Sequence, residues 1–378
     1  MRSVPAPAEK GRALLWRRFL LSIGSCVVAG SAVALSMWWR PASHVLPVVQ
    51  RYSPVSPTCP QAHDGVCQAA PHHCCDRWRP TGLSIETDAL LVDPRDHARV
   101  FAGTPSGLWR SVDGGITWKS DPAWTTRSPI MALATMPSGT GIFAGAGDGA
   151  VYAATEDNRF GVWQRISPSF GSDPIFCLAY NPQLHALLAG TVGALYRGEQ
   201  RSARWLWRRV ATTRGASVTA VVWMVDHPQR GYASVFGSSP PVLSTTDGGR
   251  DWRPDARGLP PTLPTESLLI VRGKMAQVWL STMGNGVWLR SGDGAWRDID
   301  AGLPAHHAMP LTVGSTGMLY AGTMGNGVYR RQGTSVWRKL GSGLNTGSYI
   351  VLSLASVEGA NPSLLAGTAH GVFRYPWP

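Results

Sequence analysis

Short apolar runs alternate with turn residues along most of the chain, from about residue 74 to the end. A typical stretch reads LLVDP (90–94), then VFAGTPSGLWR (100–110), then a polar segment that ends in Trp118. Apolar runs this short, bounded by Gly, Pro, Asn or Asp, are typical of β-strands joined by tight turns. The pattern therefore predicts an all-β structure for this part of the chain.

The stretch recurs at a nearly constant spacing, so that the chain consists of repeated units. A small residue marks the middle of the same strand in every unit, and successive copies lie 41 to 47 residues apart. These residues are Gly103, Gly145, Gly190, Ser234, Ser281, Gly322 and Gly367. A unit of this length with four short strands is typical of one propeller blade, whose faces must be covered by neighbouring blades. We therefore predict a seven-bladed β-propeller of four-stranded blades over residues 74–378.

The two ends of the repeat indicate how the ring closes. The seventh unit stops at Val372-Phe373-Arg374, without the Trp-bearing strand that follows each earlier unit. The segment before the first unit, DRWRPTGL from Asp76, matches that missing strand, since Trp followed by Gly-Leu also ends other units. We expect the strand around Trp78 to complete the last blade and to remove its exposed edge.

The part of the chain before the repeat begins with a basic segment and an apolar one. Residues 1–18 carry several arginines, whereas residues 19–39 contain no charge. An uncharged run of this length is long enough to cross a bilayer as a helix, and flanking arginines favour the cytoplasmic side. The pattern predicts a cytoplasmic N-terminus, a signal-anchor transmembrane helix and an extracytoplasmic propeller in the cell membrane. Ala32-Val33-Ala34 resembles a cleavage site, which leaves secretion after signal cleavage as the alternative.

Residues 40–73 form the predicted linker. They are rich in proline and lack apolar periodicity, which favours an extended stalk. Four cysteines lie at its end, at Cys59, Cys67, Cys74 and Cys75. In an exported protein an even set of cysteines predicts disulfides, although the spacing does not fix their connectivity. A Cys/His zinc site is the alternative, but no Cys-x-x-Cys pair supports it. We expect no metal and no cofactor.

Composition and charge add two constraints. The 43 glycines, 29 prolines and 15% charged residues suit many short strands joined by turns. The formal net charge is +12, but no Lys/Arg run longer than two residues occurs in the repeat region. We therefore expect no nucleic-acid partner.

One turn motif resembles that of a known family. The segment from Ser111 to Trp118 reads Ser-Val-Asp-Gly-Gly-Ile-Thr-Trp, and Thr245 to Trp252 is a second copy, with a shortened third at 291–296. These segments resemble the Asp-box of BNR/Asp-box propellers, a group with sialidases, sortilin-type receptors, some glucanases and photosystem II assembly factors. The aspartate of this motif bonds to turn N–H groups, the glycine adopts positive φ and the Trp packs between sheets. We therefore give a structural role to Ser111, Asp113, Gly115, Thr117, Trp118, Asp247, Gly249 and Trp252.

The resemblance to sialidases raises the question of catalysis. The Phe/Tyr-Arg-Ile-Pro segment of sialidases does not occur in this sequence. Other glycosidases need two facing carboxylates, and Asp88, Asp93, Glu266 and Glu358 are isolated along the chain. Catalysis is therefore not expected, and a sialidase-like or other glycoside hydrolase is the alternative.

A duplicated turn indicates a binding face. Thr-Met-Gly-Asn-Gly-Val occurs at 282–287 and again at 323–328, between the second and third strands of two units. Turns at this position share one face of a propeller with the connections between blades. We expect a binding face that includes Met283, Asn285, Met324, Asn326, His306, His307 and His370. The sequence therefore predicts a noncatalytic, monomeric binding or assembly scaffold for a protein or glycan partner.

Overall fold

The computed structural model describes residues 76–376, apart from 137–138, 156–160, 203, 273–275, 305–306, 315, 332–335, 345–349 and 360–361. The N-terminal segment, transmembrane helix and linker predicted within residues 1–73 lie outside the described residues, as do the four linker cysteines. No helix in the part of the chain that the structure describes is long and apolar enough to cross a membrane.

The described residues form an all-β protein. In chain order the strands are β1 (Arg79–Pro80), β2 (Ala89–Val92), β3 (Val100–Thr104), β4 (Gly107–Ser111), β5 (Lys119–Ser120), β6 (Ile130–Thr135), β7 (Gly141–Ala146), β8 (Val151–Thr155), β9 (Gln164–Arg165), β10 (Cys177–Asn181), β11 (Ala186–Gly190), β12 (Val192–Arg201), β13 (Arg204–Trp223), β14 (Gly231–Val235), β15 (Val242–Thr245), β16 (Arg253–Pro254), β17 (Thr265–Val271), β18 (Gln277–Thr282), β19 (Val287–Ser291), β20 (Arg297–Asp298), β21 (Leu311–Val313), β22 (Leu319–Gly322), β23 (Val328–Arg331), β24 (Trp337–Lys339), β25 (Val351–Val357), β26 (Ser363–Thr368) and β27 (Gly371–Pro376).

These strands form five four-stranded antiparallel blades and one seven-stranded sheet. Blade 1 is β2–β5, blade 2 is β6–β9, blade 3 is β17–β20, blade 4 is β21–β24, and blade 5 is β25–β27 with β1. The remaining sheet, β10–β16, is called the double sheet. The prediction of a β-propeller is confirmed, but the prediction of seven separate four-stranded blades is wrong.

The double sheet arises because one long strand runs through the third and fourth sequence units. The first half of β13 pairs with β12, and its second half pairs with β14. Proline interrupts a strand ladder because it lacks an N–H donor, and residues 204–223 contain no proline. They are instead rich in Val and Thr, which favour extended backbone. The chain therefore stays in strand pairing through this connection, with a kink at Arg214 and Gly215, whose φ values are 50° and 86°.

The first strands surround the centre of the molecule. They contact one another in the order β2, β6, β10, β13, β17 and β21, and β25 then contacts both β21 and β2. Blade 5 is completed by the N-terminal side of the described chain, since β1 pairs with the last strand, β27. Trp78, which precedes β1, is 2% exposed, and its Nε1 donates to Leu340 O at 2.9 Å in blade 4.

The core lies between neighbouring sheets. Trp337 of blade 4 packs against Trp279 and Leu289 of blade 3, and Trp118 of blade 1 packs against Leu365 of blade 5. In both cases the tryptophan on the outermost side of a blade covers the preceding blade. Burying side chains of this size stabilises the fold by roughly 2–3 kcal/mol each, so the packing holds the blades in fixed positions.

The antiparallel order gives each blade two different ends. The turns between second and third strands lie at one end, together with the connections between blades, and we call this end the upper face. The turns between first and second strands and those between third and fourth strands lie at the other end, the Asp-box face.

Candidate functional site

A buried threonine closes the duplicated turns of the upper face. Thr282 Oγ1 donates to Gly286 O at 2.8 Å and accepts from Asn285 N at 3.1 Å. Thr323 makes the equivalent bonds within the second copy, residues 323–327. Because both threonines are 0% exposed, each turn is fixed from below and presents its other side chains outward.

Glycine gives these turns their conformation. Gly284 and Gly286 have φ values of 98° and 72°, and Gly325 and Gly327 have 84° and 87°. Residues that have a side chain rarely adopt positive φ, so glycine is required at these positions. The glycines of the duplicated motif are therefore explained by turn geometry, whereas its methionines are not.

Met283 and Met324 take the same position in the two turns, and both are half-buried. Met283 N donates to Pro264 O at 2.9 Å, and Met283 forms a β-bridge with His307. Met324 forms the corresponding bridge with Ile350. Each methionine therefore lies where a turn meets the connection to the next blade, and a flexible thioether there can adapt to different partners.

The two asparagines of the motif differ in exposure. Asn285 is exposed, whereas Asn326 is half-buried. The backbone oxygen of Asn285 accepts a hydrogen bond from Trp288 Nε1 at 2.8 Å. A half-buried indole therefore lies beside the first turn and adds an aromatic surface that the sequence analysis did not include.

The histidines add polar groups to the same face. His307 is half-buried, and its Nδ1 is buried with no hydrogen-bond partner among the described residues. It lies against the first turn, since a Cβ built on Gly284 would come 3.4 Å from His307 Cε1. His370 is exposed in the turn between β26 and β27. His306 lies outside the described residues.

Backbone hydrogen bonds join the turns of blades 3, 4 and 5 side by side. Ala308 N donates to Thr282 O at 3.1 Å, and Met309 N donates to Gly322 O at 2.8 Å. Val351 N ties blade 5 to blade 4 in the same way. The structure thus places six of the predicted residues on the upper face of three consecutive blades: Met283, Asn285, His307, Met324, Asn326 and His370.

The first Asp-box lies at the opposite end, in the turn between β4 and β5. Asp113 accepts hydrogen bonds from Ser111 Oγ at 2.7 Å, Ile116 N at 3.0 Å and Thr117 N at 2.9 Å. Partial burial raises the pKa of Asp113, but the bonds from Thr117, Ser111 and Ile116 outweigh burial and lower it below its ordinary value. Trp118 Nε1 donates to Gly115 O at 3.1 Å.

The second copy repeats these contacts, with threonine in place of serine. Thr245 Oγ1 donates to Asp247 at 2.8 Å, and Gly249 N donates to Thr245 Oγ1 at 3.0 Å. Burial raises the pKa of Asp247, but bonds from Asp251 N, Thr245 and Arg250 N lower it overall. Trp252 Nε1 donates to Gly249 O. Both carboxylates are thus used within their own turns.

The shortened third copy is different. Asp293 is exposed, and it accepts a hydrogen bond from Arg230 Nη2 at 3.1 Å. An exposed pair of this kind contributes little to stability. Asp293 therefore provides a comparison for the two complete copies.

The isolated carboxylates that could serve a hydrolase lie in separate places. Asp93 is 2% exposed and is held by Arg95 N at 2.9 Å and by an ion pair with Arg99 at 3.0 Å. Asp88 precedes β2 whereas Asp93 follows it, so they lie at opposite ends of that strand. Glu266 lies in β17, and Glu358 is exposed after β25. Asp88 and Glu266 thus lie at the upper-face end of two first strands, and Asp93 and Glu358 lie at the opposite end.

Cys177 is buried in β10, and burial raises the pKa of its thiol to about 12. A thiol in this state is a packing residue and a poor nucleophile.

Comparison with known proteins gives a fold but no family. No family model matches the chain, and no curated protein matches it. Solved structures do match. The extracellular domain of BT4673, a one-component system of B. thetaiotaomicron, has a TM-score of 0.61 at 15% identity, covering 80% of this chain and 40% of that one.

Two further solved structures also match this chain. The GH74 xyloglucanase from Xanthomonas campestris has a TM-score of 0.60 at 19% identity, covering 79% of this chain and 53% of that one. YCF48 from Cyanidioschyzon merolae has a TM-score of 0.60 at 14% identity, covering 79% of this chain and 98% of that one. This chain thus spans about half or less of the first two proteins. At these identities the likeness shows the β-propeller fold alone.

The threonines of the upper face were missed in the sequence analysis, although their signal was present. Equivalent threonines lie at the end of the second strand or directly after it, and they donate to a backbone oxygen across the turn in blades 1 and 5 and in the double sheet. They are Thr104, Thr191, Thr282, Thr323 and Thr368. Each follows the small residue that defines the repeat, which identifies it as the turn-closing position.

Proposed function

We propose that this chain is a noncatalytic extracytoplasmic scaffold that binds a protein or glycan partner through its upper face. The observation that supports this most is the repeated turn of blades 3 and 4. Its threonine and glycines fix the backbone, while Met283 and Met324 are left half-buried beside exposed polar groups. Rigid turns that carry adaptable apolar groups suit recognition of a partner. The extracellular propeller domain of BT4673 and YCF48 are structural neighbours consistent with a binding role.

We also propose that the chain belongs with the Asp-box propellers. The paired networks of Asp113 and Asp247 support this assignment. In the proposed topology residues 1–18 are cytoplasmic, residues 19–39 anchor the protein in the membrane, and a monomeric propeller follows the 40–73 linker outside the cell.

Capture of a partner by loop variants tests the binding role. Full-length protein would be used to capture partners from its native membrane, as wild type and as M283S/M324S/H306A/H307A. These changes remove apolar and polar contact groups from the upper face, so we expect capture of the wild-type partner to fall by about tenfold or more, the effect of losing one strong interface contact. The melting temperature should change little because the turns are closed by other residues.

A matched variant on the opposite end controls for surface changes in general. V112S/I116S/H97A/H227A makes the same kinds of change in turns of the Asp-box face, where Val112 and Ile116 are 72% and 45% exposed. Its capture should equal that of wild type. Equal losses in the two variants, or none in the upper-face variant, would contradict the proposed site.

Glycoside hydrolysis is the second candidate, because a GH74 xyloglucanase is among the structural neighbours. Turnover of xyloglucan or sialylated glycans by the purified protein, lost on Asp88→Asn or Glu266→Gln in protein that still folds, would establish it. We expect no turnover, because the sequence lacks the Phe/Tyr-Arg-Ile-Pro segment of sialidases and its candidate carboxylates are isolated along the chain.

A further inference from the structure

The outermost strands of the propeller carry a regular pattern of cations. In blades 1 to 5 the outer strand contains an exposed Lys or Arg one or two residues after its tryptophan. These residues are Lys119, Arg165, Arg297, Arg338 and Arg79, and Arg253 has the same place in the double sheet. A charge on an edge strand prevents pairing with another chain. One cation per edge is therefore explained by protection against aggregation.

Three consecutive blades carry a second cation that edge protection does not require. Across the outer pair of strands, Arg338 faces Arg330 in blade 4 and Arg79 faces Arg374 in blade 5. In blade 1, Lys119 faces Arg110. Residues directly opposite in antiparallel strands have Cβ atoms about 5 Å apart, and like charges in this position are destabilising. Each of these blades therefore places two cations side by side on its outer pair of strands.

The other blades show that the second cation is not a property of the repeat. The residues opposite Arg165 and Arg297 are Tyr152 and Leu289. Arg253 in the double sheet faces Ser244. Edges without a facing cation thus occur in blades 2 and 3 and in the last part of the double sheet.

Two further pairs lie in the double sheet, where Arg208 faces Arg197 and Arg204 faces Arg201. One carboxylate serves both pairs, because Glu199 forms ion pairs with Arg197 and with Arg201. Arg197 is also 1% exposed and donates to Gly248 O. In blade 5 the corresponding arginine is more open to solvent. Burial lowers the pKa of Arg374, and neighbouring Arg79 lowers it further, while Asp113 partly offsets both.

The three cation pairs lie on one continuous side of the molecule. Blades 4, 5 and 1 are neighbours in the ring, and Arg77 bridges from the chain before β1 to Ser342 after β24. We call this side the basic arc, and it consists of Arg77, Arg79, Arg110, Lys119, Arg330, Arg338, Lys339 and Arg374. Asp76 and Asp113 lie beside it: Asp76 accepts a hydrogen bond from Tyr375 Oη, and Asp113 accepts bonds from its own turn.

The chain enters the propeller within this arc. Asp76 O accepts a hydrogen bond from Ser342 N at 3.1 Å, between blades 4 and 5. The predicted linker, residues 40–73, reaches the propeller here from the predicted membrane anchor.

We propose, resting on the membrane anchor of the proposed function, that the basic arc docks the propeller against the anionic phospholipid surface of that membrane. Electrostatic attraction draws basic protein surfaces to anionic lipid headgroups, and one Lys or Arg near an anionic membrane surface changes partitioning by about fivefold. Docking neutralises the facing cations of blades 4, 5 and 1. It also holds the outer side of blades 4, 5 and 1 toward the bilayer. The upper face, at one end of the blades, then stays accessible to a partner.

Amine labelling of the full-length chain in lipid nanodiscs tests this docking. The arc contains Lys119 and Lys339, which report on its accessibility when their acetylation rates are followed by mass spectrometry. Nanodiscs of phosphatidylcholine with 30% phosphatidylglycerol would be compared with pure phosphatidylcholine. We expect both lysines to react at least about fivefold more slowly in the anionic discs than in pure phosphatidylcholine. Adding 0.5 M NaCl should remove the difference, since salt screens surface charge.

Two charge-matched variants make the test specific. R79E/R338E reverses two arc cations and keeps both reporter lysines, so it should lose the protection. R253E/R297E makes the same charge change on equivalent outer strands outside the arc and should keep it. Equal reactivity in the two kinds of disc, or equal loss in both variants, would overturn the proposal. Stronger protection by polyglutamate than by anionic lipid would assign the arc to an acidic protein partner and would also overturn it.

Discussion

The carboxylate of Asp113 closes a turn of the Asp-box face by accepting hydrogen bonds from Ser111, Ile116 and Thr117. Asp247 does the same in the double sheet. Since both carboxylates are satisfied within their own turns, at the end opposite to the duplicated loops, they contribute to stability and leave binding to other residues.

Substitution of the Asp-box aspartates should separate stability from binding. Asp113→Ala and Asp247→Ala each remove several bonds to a charged acceptor, so each should lower the free energy of unfolding by about 1–2 kcal/mol. Urea unfolding followed by tryptophan fluorescence measures this. Asp293→Ala is the control, because the exposed Asp293–Arg230 pair should be worth less than about 0.5 kcal/mol. Equal effects of the three substitutions would contradict the role given to the turns.

The pH dependence of stability follows from the same bonds. The pKa of Asp113 is lowered from 3.8 in the folded protein, so the folded state favours the ionised carboxylate more than the unfolded state does. Its contribution is fully present above the unfolded pKa and is lost as pH falls through the folded value. The stability difference between wild type and Asp113→Ala should therefore be constant from pH 7 to about 5 and shrink below about pH 4. A difference that grew on acidification would contradict this.

At the scale of elements, the repeat predicted individual strands better than the boundaries between sheets. Small residues such as Gly103 and Gly322 recur because the adjacent blade leaves no room: a Cβ on Gly322 would come 2.5 Å from Val351. This constraint recurs in the five units with glycine at this position, while the other two have the small residues Ser234 and Ser281, which is why the sequence reveals it. The continuity of β13 has no such repeated signal. It depends on what residues 204–223 lack, namely a proline, and on their Val and Thr content.

Removal of the strand that closes blade 5 should destabilise the whole ring. Deleting residues 74–82 removes β1, exposes the edge of β27 and leaves the Trp78 site in blade 4 empty. We expect a lower melting temperature and aggregation through the open edge. Deleting residues 41–60 should leave the melting temperature unchanged. Trp78→Ala alone should cost about 3–5 kcal/mol, the usual effect of emptying a buried aromatic site, and equal melting of the two deletions would show that β1 is dispensable.

For the whole molecule, the sequence could place the candidate site but not describe it. A propeller has only two ends and an outer side, so the position of a turn within its repeat unit already predicts the end of the propeller at which the turn lies. Met283 and Met324 share the upper face for this reason. The partners of each side chain depend on neighbouring units, so the bridge between Met283 and His307 and the facing cations of blades 4, 5 and 1 required the structure.

In the proposed topology, the direction in which the chain crosses the membrane decides which side of the cell the propeller can serve. The arginines of residues 1–18 lie before the apolar segment 19–39, so the positive-inside rule predicts that residues 76–378 are outside. Protease added to intact cells or spheroplasts should therefore degrade the propeller once mild heating has loosened it, while a cytoplasmic marker protein survives. An R12E/R17E/R18E variant removes the basic residues that set the direction, so a fraction of its propeller should become protected until detergent is added.

If the wild-type propeller is already protected in sealed cells, it is cytoplasmic. The proposal of an extracytoplasmic partner is then wrong. The predicted disulfides among the linker cysteines are then wrong too, because the cytoplasm keeps thiols reduced.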